Sequence, residues 1–278
     1  MKIKMIALDL DGTLLDSRKQ LSLRVRSVLK ECAGRGIHVV LASGRAKCGV
    51  APLAKELSLV RYVLTTNGSG VWDLEKDQLI YSRPLDREVV LDLIDRISPY
   101  PVMYDVYVDG IGKSETKFLN HLEDYGVHGP LRQLVKDTRE LVPSIRQYVV
   151  EGNRPIEKVN LFFADDKLRC QVRKRLLEDD RIAVTSAISN NLEINALGAD
   201  KGDGLYHLAE YLNVSREEIA AFGDGENDIA MLRFAGLGVA MGNSGEEVKR
   251  AADVVTKTND EDGVALAIEK YILHEEDR

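Results

Sequence analysis

Two aspartates two residues apart, Asp9 and Asp11, close the first apolar run of this 278-residue chain. In extended backbone such a pair points to the same side, so both carboxylates can approach one ligand. Two acids that close after an apolar strand favour a compensating cation or a shared proton. Asp-Gly is also a common turn pair, which leaves an acidic turn open. A second acidic group, Gly223-Asp224-Gly225-Glu226-Asn227-Asp228, follows the apolar run IAAF. Its oxygen donors suit a hard cation such as Mg²⁺, and its glycines permit a tight turn. The bland alternative is an acidic loop that caps a helix. Ser43-Gly44-Arg45 offers a hydroxyl and backbone N–H groups to a phosphate, or Ser43 simply caps a helix. Lys201, at a helix start, is either a point charge for an anion or a solvated surface lysine.

The elements that must position these residues read as strands and helices in alternation. Residues 3–10 and 37–42 read as strands, 21–33 and 46–57 as helices, and a third strand begins at residue 62 and ends at TTNGSG. This β-α-β-α-β order implies a parallel sheet with helices on its faces. A hairpin follows around residues 75–78. The rhythm then changes from about Pro84 to Asn190, where alternation at 102–108 and 159–163 suggests an antiparallel sheet with helices on one face. From residue 192 the α/β order returns: helix 201–212, strand 219–222, helix 228–234, strand 237–240, helix 246–252, strand 254–255 and helix 264–273. The expected domains are therefore a core of residues 1–83 and 191–278 and an insert of residues 84–190. In open parallel sheets ligands bind beyond the carboxyl ends of the strands, so the four motifs converge on one pocket.

Composition bounds the rest. The chain is 44% hydrophobic and 30% charged, which suits a globular protein and not a disordered one. A net charge of -7 argues against general attraction to nucleic acid. Cys32, Cys48 and Cys170 form no CxxC pair, so neither a zinc site nor a disulfide framework is expected. The five histidines, His38, His121, His128, His207 and His274, show no ligand spacing, and Trp72 reads as core or interface. No run reaches membrane-spanning length and the first residues do not read as a signal peptide, so a cytoplasmic protein without a membrane partner is expected.

In this order, DLDGT, SGR, an isolated lysine and GDGEND resemble the four motifs of the haloacid dehalogenase-like hydrolase superfamily. The insert's position resembles the type IIB cap of its Cof-type phosphatases. The tail segments GLGVAMGNS, AADVVT and DEDGVA are similar to the Cof-type ending. The resemblance covers essentially the whole chain. It implies an α/β fold: a Rossmann-like parallel-sheet core with helices on both faces and an inserted α+β cap. Asp9 would then attack phosphorus to form an aspartyl-phosphate. Asp11 would protonate the leaving alcohol and later deprotonate water. Mg²⁺ would bind Asp9, the Asp11 backbone carbonyl and Asp224, with Asp228 as a ligand or an outer anchor and Asn227 in support. Ser43 and Lys201 would hold the phosphoryl group, Gly44 would add an N–H, and Asn67 would lie near the substrate.

The substrate would be a small phosphorylated metabolite, with a sugar phosphate first. Arg45, Lys158, Ser186, Asn190 and Asn191 are polar candidates to face the substrate cleft, each equally readable as ordinary surface polarity. The alternatives are a phosphomannomutase-like phosphomutase and a phosphate-ligand sensor without turnover. The sequence leaves a monomer or a small homo-oligomer open.

Overall fold

Apolar residues alternate between two faces along each central strand, and this buries the main sheet from both sides. Ile6, Leu8, Val39, Leu41, Val63, Ala220 and Phe222 pack into one cluster. Met5, Ala7, Val40, Ala42, Leu64, Ile219 and Ala221 pack into another. Near-continuous apolar strands of this kind require cover on both faces. We describe residues 2–186 and 188–273 from a computed structural model of the chain.

In chain order the strands are β1 (Met5–Leu8), β2 (His38–Ala42), β3 (Val60–Thr65), β4 (Gly70–Asp73) and β5 (Gln78–Ser82). Then come β6 (Met103–Val108), β7 (Ile111–Glu115), β8 (Arg139–Val142), β9 (Lys158–Phe162), β10 (Ile182–Thr185) and β11 (Asn191–Ala196). The last are β12 (Ile219–Gly223), β13 (Leu237–Ala240) and β14 (Val254–Val255). They form an 8-stranded sheet, β14-β13-β12-β1-β2-β3-β4-β5, and a 6-stranded sheet, β10-β11-β9-β6-β7-β8.

The first sheet is parallel from β14 to β3, and β4 joins antiparallel. The core is thus α/β as expected, with a mixed edge in place of a wholly parallel sheet. Chain direction reverses at the tight turn Thr66–Gly68, too short for the crossover a parallel neighbour needs. The helix Leu23–Gly34 shows why its face packs: Val25, Val28, Leu29 and Cys32 recur at helical spacing, and Ser22 caps the start by accepting from the Val25 N–H.

The chain divides into two compact units. One comprises the segment up to Gly44, Val50–Tyr81, and the chain from Asp200 onward. The other comprises Arg45–Gly49 and Ser82–Ala199. The insert thus runs to Ala199, not 190, because β11 pairs with β9 and β10 inside the second sheet. That sheet is antiparallel except at its edge, where β8 runs parallel to β7. Helices Arg87–Ile97 and Asp166–Leu176 pack through Val90, Leu93, Ile94, Val172 and Leu176 onto Val106, Val159, Leu161 and Ile194 in a single cluster.

No helix among the described residues is long and apolar enough to cross a membrane. The cysteines are free. Trp72 packs half-buried against the core, and His274 lies outside the described residues.

Candidate active site

β1 lies between β12 and β2, and the carboxyl ends of all three parallel strands gather on one side of the sheet. Asp9 leaves β1, Ser43 leaves β2 and Asp224 leaves β12. Lys201 opens the helix Lys201–Leu212, capped by Asp200, whose side chain accepts from the Asp203 N–H.

Lys201 is fully buried, so the solvated-surface alternative fails. Its Nζ donates to Asp9 Oδ1 at 2.7 Å and to Asp228 Oδ1 at 2.6 Å. Carboxylate oxygens of Asp9, Asp224 and Asp228 lie within 4.8 Å of one another. Three carboxylates against one ammonium leave two negative charges in a buried site. Burial pushes the Asp9 carboxyl up to about 8; Asp228 and Asp224 add to the rise and Lys201 opposes it. Burial, then Asp228, raises Asp224 to about 6. Burial acts to discharge Lys201, but the two carboxylates outweigh it and hold the ammonium above its ordinary value. Crowded, desolvated oxygen donors with a deficit of positive charge fit a divalent hard cation.

Asp228 is committed on both oxygens. Oδ1 meets Lys201, and Oδ2 accepts from the Asp224 and Gly225 N–H groups at 2.9 Å. It thereby folds the GDGEND turn upon itself. Asp224 Oδ1 accepts from Thr13 Oγ1 at 2.9 Å, a contact the sequence reading missed. Gly12 explains the close approach: its φ is +93°, and a Cβ there would lie 2.3 Å from Asp224 Oδ2.

The Asp11 carboxylate is not in the three-acid group. β1 ends at Leu8, so the two-residue repeat of a strand does not carry through Asp9 to Asp11. Asp11 Oδ1 instead meets Lys19 Nζ at 2.7 Å, another residue the sequence reading did not single out. Ser43 is buried, and the next helix begins only at Lys47, so Ser43 is not its cap. The Ser43 C=O accepts from the Asn67 N–H at 3.1 Å. Thr66 and Asn67 both hold positive φ, 49° and 58°. For a β-branched threonine that conformation is an outlier of the sort kept at functional turns. Asn67 Oδ1 accepts from Asn227 Nδ2 at 3.0 Å, so Asn227 joins the β3 and β12 turns. Gly44 sits in the same unit.

Arg45 and Asn190 belong to the other unit. There Asn190 Nδ2 donates to the Gly126 C=O at 2.8 Å, and Asn191 Nδ2 to Asn160 Oδ1 at 3.1 Å. Ser186 Oγ bonds to the Ile188 and Asn191 carbonyls. The second sheet's other face is polar. Asp105 stands opposite Asn160, Asn160 opposite Glu193, and Glu193 opposite Thr185, in one row across four strands. In this face Lys158 pairs with Glu193 at 2.8 Å, and Arg139 Nε with Asp105 at 2.9 Å. Of this row the sequence reading named none; polar residues alternating with Val159, Leu161, Leu192 and Ile194 were the available signal.

The family model of a haloacid dehalogenase-like hydrolase matches residues 6–268. The chain belongs to the haloacid dehalogenase-like hydrolases. Among curated relatives, the 5-amino-6-(5-phospho-D-ribitylamino)uracil phosphatase YcsE of Bacillus subtilis is 32% identical, covering 98% of this chain and 96% of the relative. Phosphatase YwpJ of the same organism is 34% identical over 98% of this chain and all of that protein. A solved haloacid dehalogenase-like hydrolase from Bacteroides thetaiotaomicron superposes with a TM-score of 0.82 at 35% identity, covering 97% of this chain and 99% of that one. The expected family likeness therefore holds over nearly the whole chain, and the chain is an enzyme of this family's phosphatase type.

Proposed function

We propose that the chain hydrolyses a small phosphate monoester, a sugar phosphate first, by a Mg²⁺-dependent route through an aspartyl-phosphate on Asp9. One observation carries this reading. The Asp9 carboxylate sits at a strand end beside a fully buried lysine and two further carboxylates. That arrangement readies a nucleophile for an anionic phosphate.

Asp9, Asp224 and the Asp11 backbone carbonyl would hold the cation. When bound, Mg²⁺ supplies the positive charge that lets a carboxylate approach a phosphate. An Asp9 oxygen attacks phosphorus and the ester P–O bond breaks. Asp11 gives its proton to the departing alkoxide. Asp11, now a carboxylate, takes a proton from water, and the hydroxide attacks the phosphorus of the acyl phosphate. Phosphate leaves and the Asp9 carboxylate returns. Lys201 and Ser43 steady the transferring group, with Gly44 offering an N–H. Asp228 holds Lys201 and the Asp224 turn in place. Asn227 supports Asn67 beside the substrate.

The second unit, as the cap, would choose the leaving group, with Arg45 and Asn190 as the candidate binding residues. A phosphorylated ribityl compound, the kind of substrate named for YcsE, belongs in the same panel. The enzyme would act in the cytoplasm as a monomer or a small homo-oligomer.

The test is phosphate release from p-nitrophenyl phosphate and a panel of sugar phosphates, with and without Mg²⁺. Mg²⁺-dependent release is expected. Folded protein inert across the whole panel would sink the reading.

A further inference from the structure

Beyond the motif residues, one side chain joins three loops at the acidic site. Asn243 follows β13 in a turn closed by the Ser244 N–H donating to the Met241 C=O at 3.0 Å. Its Nδ2 donates to the Gly12 C=O at 2.8 Å and lies 3.4 Å from Asp224 Oδ2. Its Oδ1 accepts from the Asn259 N–H at 3.1 Å. Asn259 reaches back in turn, its Nδ2 donating to the Leu15 C=O at 2.9 Å. Two residues past Leu15, the Ser17 N–H donates to Asp260 Oδ1 at 2.7 Å.

We propose that Asn243 is a positioning residue for the cation site, setting the Asp224 carboxylate and the Asp11–Gly12 backbone at a fixed separation. This rests on the metal-dependent reading above. The reasoning is geometric. Asp224 is held at Oδ1 by Thr13 and approached at Oδ2 by Asn243, so its carboxylate plane is restrained from both ends. The same amide nitrogen anchors the carbonyl one residue beyond Asp11. The left-handed backbone of Gly12 directs that carbonyl there. Coordination of a small hard cation tolerates little error in donor position. Groups that orient the donors commonly change metal affinity by about 10- to 100-fold when removed. A neutral amide suits the role: a lysine would compete with the cation, and a second carboxylate would repel Asp224. Asn243 is itself exposed, so its loss removes a constraint without opening the core.

The experiment titrates Mn²⁺ into the full chain and follows free Mn²⁺ by electron paramagnetic resonance, which needs no turnover. Wild type is compared with Asn243→Ala and with Asn243→Leu, which keeps the branched shape and loses the amide. Both variants should bind Mn²⁺ at least about 10-fold more weakly. Their unfolding midpoints in EDTA should stay close to wild type. The Mg²⁺ concentration for half-maximal activity should rise, with KM for the aryl phosphate at saturating Mg²⁺ little changed. Affinities within about twofold of wild type in both variants would overturn the role, as would a loss in the alanine variant that leucine restores, because that marks packing. No Mn²⁺ binding by folded wild type would overturn the cation-dependent reading and this role together. A loss confined to the variants leaves that reading standing.

Discussion

Lys201 Nζ donates to Asp9 Oδ1 at 2.7 Å while lying wholly inside the protein. Lys201 is also paired with Asp228 in the buried site and, on the proposed route, is a clamp for the phosphoryl group. Lys201→Ala should therefore act twice. Loss of a donor aimed at developing charge should lower kcat by about 10²–10³-fold. Removing one partner of a buried ion pair should cost about 3–5 kcal/mol in metal-free protein. Steady-state kinetics and urea denaturation read the two effects. A variant with normal kcat would remove Lys201 from the chemistry.

Metal-free protein should lose stability as pH rises from about 4 to about 8. Asp9 titrates near 8 and Asp224 near 6 in the fold, each raised from 3.8. In that window the native state holds more protons than the unfolded chain, so the slope of stability against pH is negative. Mg²⁺ would displace those protons and flatten the decline. Urea unfolding at about pH 5 and about pH 8, with EDTA and then with Mg²⁺, measures it. Greater stability at the higher pH in EDTA would contradict the raised carboxyl groups.

Gly12→Ala should damage the site with little effect elsewhere. An alanine at φ +93° is strained by about 1–3 kcal/mol, and its Cβ would strike Asp224. Activity should fall more than tenfold and Mn²⁺ binding should weaken. A variant with wild-type metal affinity would show that Asp224 tolerates displacement.

Most of this site was legible in the residues, and what was not has physical causes. Asp9, Ser43 and Asp224 follow strands whose apolar runs are short and bounded, so their place at the sheet's edge could be read. Lys201 could not be told from a surface lysine, because its burial depends on Asp9 and Asp228, 192 and 27 residues away. Asn243 and Thr13 carry no charge, and their roles arise from tertiary approach alone. The pairing of Asp11 with Lys19 arises from the turn between them and carries no sequence signal. The end of the insert was misplaced at residue 190 because β11 resembles a core strand in composition, while its pairing with β9 puts it in the second sheet.

A phosphomutase would return the phosphoryl group to sugar. With a hexose 1-phosphate, the present account expects free phosphate and no isomerised ester. Hexose 6-phosphate without phosphate release, seen by phosphorus NMR, would favour the mutase.

The most direct test of the central claim is acid quench of enzyme turning over a phosphate monoester with Mg²⁺, followed by borohydride reduction and peptide mass spectrometry. An acyl phosphate on Asp9 is reduced to homoserine at that position alone, and the signal should vanish without substrate. Homoserine at another acidic residue, or none at any residue in enzyme that is turning over, would contradict Asp9 as the nucleophile.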